Sequence, residues 1–292
     1  MSSDVLAWSK SQLADYGPGL AALVMLAVFS GRIRRAVNSG RLGQTTPLYR
    51  LPPATVWTFV VLPVGWWLWN LWVSQAREAF FMHITEEDGW MEYGQMLLLV
   101  LGSIASGLLA RSLWIRRRFW ALAYLLLALA LFWAAGEEIS WGQRLLHLAT
   151  PAWFASHNTQ QEMNVHNLAG VTAELSSLVD QALSWAVFLS AAAWMTGFHR
   201  VKRLYASLWL PHPSLIPAFC CVISYWWVLC LYQLLHPEAQ KVPEVIERLQ
   251  EPREVILYFS ALVFLLIVRS TLRADPNRPA TRSLIPPSPR AY

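Results

Sequence analysis

Long apolar runs dominate this chain, and short polar or charged segments separate them. A helix needs about 20 mainly apolar residues to cross a bilayer core about 30 Å thick, so runs near this length predict transmembrane helices. The pattern predicts an all-α polytopic membrane protein in which residues 1–273 form one transmembrane domain of about seven helices. The predicted spans are residues 17–31, 54–73, 91–110, 119–135, 179–198, 215–235 and 255–268.

The charges between these runs alternate in sign. Arginine-rich segments follow the first, third, fifth and seventh runs, and acidic segments follow the second, fourth and sixth. Basic loops remain on the cytoplasmic side of a membrane, so the alternation predicts an N-terminus outside and a cytoplasmic C-terminus. The first run is short and is predicted either to span the membrane or to lie at its surface. The other loops give the same orientation in both cases.

The amino-acid composition also indicates a membrane protein, and it disfavours a soluble domain or a nucleic-acid-binding protein. Apolar residues make up 55% of the 292 positions and charged residues only 14%, which is unlike a soluble domain. The net charge of +5 reflects basic side chains in the predicted cytoplasmic segments, which suit anionic lipid headgroups. Membrane lipids are therefore the expected partners, and nucleic acid is not. The Pro-rich end, residues 274–292, is predicted to be a disordered cytoplasmic tail.

The first polar segment of interest, EEDGWMEYGQ at residues 86–95, leads into the third predicted span. Asp88, Glu92 and Gln95 recur at i, i+4 and i+7, so they lie on one stripe of a helix that begins near Asp88. The acids either form part of a site or simply complement the positive end of the helix dipole.

The second polar segment, AGEEISWGQRLLH at residues 135–147, leaves the fourth span. If the helix continues, Glu137, Trp141 and Arg144 share a face. Arg144 then either holds an anionic group or neutralises Glu137 or Glu138 as a structural ion pair.

Depth in the membrane connects these two segments. Glu92 lies nineteen residues from Arg111, and Glu137 lies nineteen residues from Arg118. At a rise of about 1.5 Å per residue, both carboxylates reach roughly 28 Å above the basic loop that joins the two spans. We therefore expect Glu92 and Glu137 to face each other near the outer boundary, with Glu254 somewhat deeper. Buried carboxylates are costly, so they should be protonated, paired or bound to a cation.

Two further polar segments lie on the predicted outer side. HNTQQEMNVHN, residues 157–167, contains Glu162 and His166 four positions apart, which on a helix brings both side chains to one point. This spacing suits a metal ion or an imidazole oriented by a carboxylate, and a structural polar network is the alternative. The last of these segments is residues 236–254, in which the acidic loops between Glu238 and Glu251 are expected to be solvated.

These observations define a candidate site. The predicted catalytic residues are Glu92, Glu137, Glu138, Arg144, Glu162 and His166. The predicted metal ligands are Glu137, Glu162 and His166, a mixed set that suits zinc, manganese or iron. The supporting residues are Asp88, Gln95, Trp141, Gln143, His157, Asn158, Gln161, Asn164 and Asn167.

The pair of motifs GEEISWGQR and HNTQQEMNVHN resembles a pattern in a bacterial multi-pass membrane protein family of unassigned function. The resemblance covers about residues 85–170, implies the bacterial cytoplasmic (inner) membrane, and implies no activity. The seven-span plan is also faintly similar to the alkaline ceramidase and progestin-receptor superfamily, whose zinc-dependent amide hydrolases use membrane-embedded histidines. The last span here has no HxxxH pair, so a three-histidine zinc site is not implied.

Three functions remain open from the sequence. The first is a membrane hydrolase or transferase that acts on a lipid or lipid-linked substrate, by acid–base chemistry or with a divalent metal ion. The second is a non-catalytic membrane component that binds a protein partner through its outer loops. The third is a transporter or channel, which the shortage of ionisable residues in the inner halves of the spans disfavours.

Overall fold

The computed structural model describes residues 53–86, 89–115, 117–165, 167–168, 182, 185, 211–239 and 241–273. This part of the chain is helical and contains no strand, apart from one isolated bridge between Asn158 and Leu168. The all-α prediction is therefore confirmed for the described residues. The helices are α1 (Pro53–Ala76), α2 (Glu78–Ile84), α3 (Trp90–Leu113), α4 (Arg118–Glu138), α5 (Ala152–His157), α6 (Ile216–Leu235), α7 (Glu244–Glu247) and α8 (Gln250–Arg273).

Four stretches of the described chain are long and apolar enough to cross a membrane: α3, α4, α6 and the stretch Glu244–Leu272, which contains α7 and most of α8. The prediction of a multi-pass membrane protein agrees with this finding. The long helix α1 covers the predicted span at residues 54–73. The predicted spans at residues 17–31 and 179–198 and the predicted tail lie outside the described residues.

Helix α8 packs against α1, α3 and α6, and α3 and α4 form an antiparallel hairpin. Small residues allow the hairpin to close: Ser106 donates a hydrogen bond to the backbone oxygen of Tyr124, and the Cα of Gly102 faces Leu131. A Cβ at residue 102 would lie only 3.3 Å from the Leu131 side chain. Close approach through small residues is typical of membrane helix pairs, where packing rather than water exclusion drives association.

The opposite face of α4 is apolar and exposed. Its exposed side chains include Leu122, Leu126, Leu129, Phe132 and Trp133. A helix with such a face is stable in hydrocarbon and would be an aggregation risk in water. We therefore take this surface to be the lipid-facing side of the hairpin.

The ends of three long helices lie together. Because α3 and α4 are antiparallel neighbours, the start of α3 at Trp90 lies beside the end of α4 at Glu138. The first turn of α8 also reaches this end, since Gln95 of α3 contacts Glu251. We call this the polar end of the bundle.

Candidate functional site

Four carboxyl groups from three helices meet at the polar end. Tyr258 of α8 donates a hydrogen bond of 2.8 Å to Oε1 of Glu138, and Nε2 of Gln95 donates one of 3.0 Å to Oε2 of Glu251. The charges of three further glutamates act on Glu138 across the helix interfaces. We call this group the carboxylate cluster, and its members are Glu92, Gln95, Glu138, Glu251, Glu254 and Tyr258.

Helical spacing explains why α8 contributes three members. Glu251, Glu254 and Tyr258 stand at i, i+3 and i+7, so they share one face of the helix. Glu92 and Gln95 stand at i and i+3 on α3, against which α8 packs. The expectation that Glu251 is solvated was wrong, because α8 begins at Gln250. The i, i+3, i+7 spacing was the sequence signal that could have added Glu251, Glu254 and Tyr258 to the candidate site.

The cluster concentrates negative charge at the polar end. The charge of Arg248 acts on Glu251, and the Arg248 guanidinium also donates to the backbone oxygen of Thr85. Arg253 lies over the rings of Tyr225 and Trp226. Four ionised carboxylates in a region of low dielectric repel one another strongly. We therefore expect the cluster to hold protons or a bound cation.

A second polar group lies directly beside the cluster, and we call it the loop network. It begins with Glu137, whose side chain is 6% exposed. One oxygen of Glu137 accepts from the indole of Trp141 at 2.8 Å, and the other accepts from the backbone amide of Val165 at 2.6 Å. The members of the loop network are Glu137, Ser140, Trp141, Gln143, Arg144, Thr150, Asn158, Gln161, Glu162, Asn164 and Val165.

Glu162 is the centre of the loop network, with 7% of its surface exposed. Oε2 of Glu162 accepts from the Ser140 hydroxyl at 2.5 Å and from the Asn164 amide at 2.8 Å. Oε1 of Glu162 accepts from Nη2 of Arg144. Arg144 is thus paired with Glu162, and its predicted pairing with Glu137 or Glu138 stays a prediction.

Amide side chains join the two loops of this network. Gln143 accepts from the backbone amide of Met163 at 2.6 Å and donates to Thr150 at 2.6 Å, and Thr150 donates to the backbone oxygen of Gln161. Asn158 donates to Oδ1 of Asn164 at 2.7 Å. In the described part of the chain, every buried side-chain nitrogen and oxygen of this network has a hydrogen-bond partner. Complete satisfaction is typical of a polar network that fixes a structure.

Two segments that were predicted to be helical, the residues after Glu138 and those around Glu162, are not helical. Helix α4 ends at Glu138, and Ser140 and Trp141 then adopt positive φ angles of 47° and 56°, so Glu137, Trp141 and Arg144 do not share a helix face. The described residues around Glu162 are not helical either, so the helix on which Glu162 and His166 were predicted to meet is absent from residues 159–165, while His166 itself lies outside the described residues. Hydrogen bonds between the loops replace the missing helical ones and compensate the left-handed backbone, which costs about 1–3 kcal/mol per residue.

The remaining predicted residues are distributed as follows. Glu92, Glu138 and Gln95 belong to the carboxylate cluster, and Glu137, Arg144 and Glu162 belong to the loop network. His157 lies on the exposed surface of α5, where it stacks on Trp153. Asn167 accepts through its backbone oxygen from the amide of Thr159. Asp88 and His166 lie outside the described residues. The charge of Glu92 acts across the helices on Glu138, and the predicted facing of Glu92 and Glu137 stays a prediction.

Within the described ranges, no three His, Cys, Asp or Glu side chains converge closely enough to hold a metal ion. The predicted ligand His166 is outside those ranges, so zinc, manganese or iron at Glu137, Glu162 and His166 stays a prediction.

A substitution at Gly136 tests how tightly the Trp141 loop is seated. A Cβ at residue 136 would lie 2.8 Å from the indole ring of Trp141, which is held by Glu137 and packs edge-on against Trp133. We expect Gly136→Ala to lower the free energy of unfolding by about 2 kcal/mol, because this ring cannot move without losing its hydrogen bond. Thermal unfolding of the purified protein measures the change.

Gly107→Ala is the matched control, because its new Cβ would meet open space on α3. We expect this variant to be neutral or slightly more stable, as alanine favours a helix over glycine. Equal stability of the two variants would show that the Trp141 ring is not held as described.

Comparison with known proteins adds no assignment: no protein-family model matches this chain, and neither a curated protein nor a solved structure matches it. The function is therefore inferred from the geometry of the polar end.

Proposed function

We propose that this protein is a hydrolase or transferase embedded in the bacterial cytoplasmic membrane, with seven spans, an N-terminus outside and its polar end extracytoplasmic. Its substrate is a lipid or a lipid-linked molecule. The observation that supports this proposal is the carboxylate cluster, in which four carboxyl groups and one phenol meet between membrane-spanning helices. Ionisable groups at such a place are costly and are usually functional.

The cluster has the parts that acid–base catalysis needs. Crowding of like charges favours a state in which some carboxyl groups are protonated and others are ionised. An ionised carboxylate would take the proton of an attacking hydroxyl, which is water for a hydrolase and an acceptor alcohol for a transferase. A protonated neighbour would give its proton to the leaving oxygen. Proton transfers of this kind contribute about 10²- to 10⁴-fold to rates.

Glu138 is the strongest candidate for a catalytic residue. It is bonded to the Tyr258 hydroxyl, which fixes the orientation of its carboxyl group, and it lies within reach of the charges of the other three glutamates. All four glutamates are intermediate between buried and exposed, so the cluster lies near the surface of the described bundle. Lipid access is supported by two exposed tryptophans beside the cluster, Trp90 and Trp133, since tryptophan favours the membrane interface.

The loop network supports this site in a positioning role. Glu137 and Glu138 are adjacent in sequence, and the bonds from Glu137 to Trp141 and Val165 hold the last turn of α4 in place. A metal-dependent form of the proposal would place a divalent ion near Glu137, Glu162 and His166. Elemental analysis of protein purified without chelator tests that form.

The second candidate function is a non-catalytic membrane component that binds a protein partner. A patch of exposed apolar side chains after α4 favours it, comprising Leu145, Leu146, Leu148 and Trp153. Exposed apolar patches outside the spanning helices mark interaction surfaces with proteins or with membranes.

Lipid profiling of a deletion strain tests the two candidates. An enzyme is expected to leave at least one lipid species accumulated in the deletion strain, and expression of the parent protein should restore the original profile. The same strain carrying Glu138→Gln should keep the altered profile. An unchanged lipid profile, with a protein that copurifies with the parent chain, would contradict the enzyme proposal and favour the second candidate.

A further inference from the structure

The chain between the two halves of the loop network is exposed and almost free of charge. It comprises residues 145–157, LLHLATPAWFASH, and we call it the apolar loop segment. Eleven of its thirteen residues are exposed, and it contains no Asp, Glu, Lys or Arg. Its largest exposed side chains are Leu145, Leu146, Leu148 and Trp153, at 58%, 67%, 48% and 55% exposure. An exposed run this apolar marks a surface that a partner or a membrane covers.

The usual order of polarity is reversed around this segment. Gln143, just before it, is only 6% exposed, and it donates to the Thr150 hydroxyl and accepts from the backbone amide of Met163. The amide side chain thus turns into the protein while the leucines that follow it turn outward. Water favours the opposite arrangement, because apolar side chains gain free energy by burial. The arrangement is the one expected where hydrocarbon surrounds the protein.

Hydrogen bonds hold the leucines in this orientation. The backbone amides of Leu146 and Leu148 donate to the backbone oxygens of Gly142 and Gln143, each at 2.9 Å. Thr150 donates to the backbone oxygen of Gln161 at 2.8 Å, which ties the middle of the segment to the loop network. The leucines cannot turn inward without breaking these bonds, which costs free energy. The outward apolar face is therefore a property of the folded loops.

The apolar loop segment continues the lipid-facing side of α4. Trp133, on that side of the helix, is 54% exposed, and its ring packs edge-on against Trp141 with the ring centroids 4.8 Å apart. Trp141 is held by Glu137 and precedes Leu145 by four residues. The apolar surface thus passes from α4 through two tryptophan rings to the segment. Tryptophan is enriched at the boundary between acyl chains and headgroups, so this junction indicates that level of the membrane.

Helix α5 forms the second half of the segment, and none of its six residues is buried in the described part of the chain. An isolated helix needs about 12–15 residues to be even marginally stable in water. Trp153 of α5 is exposed, and His157 stacks on its ring with the centroids 4.8 Å apart. A helix with apolar and aromatic side chains turned outward is stabilised when that side lies in the interface of a bilayer.

We propose that the apolar loop segment lies in the interfacial layer of the membrane that the long helices cross, where it contacts phospholipid. Its exposed leucines and Trp153 enter the boundary between headgroups and acyl chains. Continuity with the lipid-facing side of α4 favours lipid over a protein partner, because a bilayer that covers one surface also covers the adjoining one. This inference goes beyond the proposed function and does not require that the protein is an enzyme.

Hydroxyl-radical labelling of the parent chain tests this inference without any substitution. The purified full-length chain is placed in phospholipid nanodiscs that hold one copy each, so a second copy cannot cover the segment. The radicals form in water and modify side chains that water reaches. Leu146 and Trp153 are expected to react about tenfold more slowly than exposed side chains in water, because a leucine side chain prefers hydrocarbon by at least about a factor of ten.

His236 is the reference for this measurement, since its side chain is 51% exposed and it lies outside the segment. Rates are compared after correction for the intrinsic reactivity of each amino acid. If Leu146 and Trp153 reacted as fast as His236, the segment would lie in water and the inference would be overturned.

Photocrosslinking in native membranes identifies what covers the segment. The variant Leu146→benzoylphenylalanine is irradiated, and its adducts are separated by mass. Its lipid adduct is expected to exceed that of Glu238→benzoylphenylalanine by at least about tenfold, because Glu238 is exposed and lies outside the segment. Leu129 on the exposed side of α4, substituted in the same way, gives the yield for a lipid-facing position. Trp153→benzoylphenylalanine provides a second position in the segment, so the test does not depend on the folding of one variant.

The other possible occupants give different products. A product that joins two copies of the chain, a product with another protein, or a crosslink within one chain, in place of the lipid adduct, would each contradict the inference. The product with another protein would also favour the second candidate function. Lipid adducts at residue 146, together with an unchanged lipid profile in the deletion strain, would support the inference and contradict the enzyme proposal.

Discussion

The Glu138→Gln variant is expected to lose at least about 100-fold of the lipid-converting activity while the protein still folds and inserts. An amide cannot take or give a proton in the reaction, so the acid–base step is removed. Its oxygen can still accept the hydrogen bond from Tyr258, and its shape is unchanged, so the contact between α4 and α8 is retained. The measurement is the rate of conversion of the lipid that accumulates in the deletion strain, in membranes with equal amounts of each variant.

Two comparisons make this result specific to Glu138. Glu238→Gln carries the same chemical change at an exposed position and is expected to convert the lipid at the parental rate. Tyr258→Phe removes the donor and leaves the carboxyl group, so its rate should lie between the two. If Glu138→Gln converted the lipid at a rate close to that of Glu238→Gln, this result would contradict the role of Glu138 as a catalytic residue.

The largest expected effect on stability comes from Glu162→Ala. The substitution removes the acceptor of three donors: the Ser140 hydroxyl, the Asn164 amide and the Arg144 guanidinium. Ser140 and Asn164 are buried, so water cannot fully replace the lost hydrogen bonds. We expect the free energy of unfolding to fall by about 3 kcal/mol, with part of the Arg144 contribution recovered because its side chain is 36% exposed.

Thermal unfolding and amide hydrogen exchange of the two loops together measure this effect. Exchange should increase in residues 139–165 more than in α3 or α8, because the network joins the loops to each other. Glu238→Ala is the control for loss of an exposed glutamate and is expected to stay within about 0.5 kcal/mol of the parent. If Glu162→Ala matched this control, the loop network would contribute little to stability.

The two variants also separate positioning from chemistry. Glu162→Ala should reduce activity only as far as it loosens the last turn of α4, and lower temperature should restore part of the rate. Glu138→Gln should remain inactive at every temperature at which it is folded. This difference in temperature dependence is expected because Glu162 acts on the site only through its neighbours in the loop network, which include Glu137. Glu138, the next residue in the chain, belongs to the carboxylate cluster itself.

Hydrophobic length alone located the described helices well. The predicted spans at residues 91–110 and 119–135 correspond to α3 at Trp90–Leu113 and α4 at Arg118–Glu138. Each boundary is within three residues, because the number of residues that cross a bilayer is set by the helical rise. The same rise placed Glu92 and the end of α4 at one level.

The sequence could not determine which residue at that level faces the neighbouring helix. Successive residues on a helix point about 100° apart, so a count of height cannot separate Glu137 from Glu138. The packing of α4 against α3 and α8 decided it: Glu138 meets Tyr258, and Glu137 meets Trp141 and Val165. Glu251 was likewise predicted to face solvent, because the apolar run that predicts the span begins at residue 255. The helix itself begins earlier, at Gln250.

By itself, then, the sequence determined the class of the protein, the position of its described membrane helices and the end at which its acidic groups collect. These follow from local composition and from lengths along one axis. Only the tertiary structure decided which carboxyl groups share a site and how the loop of Glu162 is held. Those features depend on the rotation of packed helices and on hydrogen bonds between residues about 20 positions apart, such as Ser140 and Glu162. The spacing of Glu251, Glu254 and Tyr258 places them on one helix face but does not show which helix that face meets, and the hydrogen bonds between the loops leave no periodic signal in the chain.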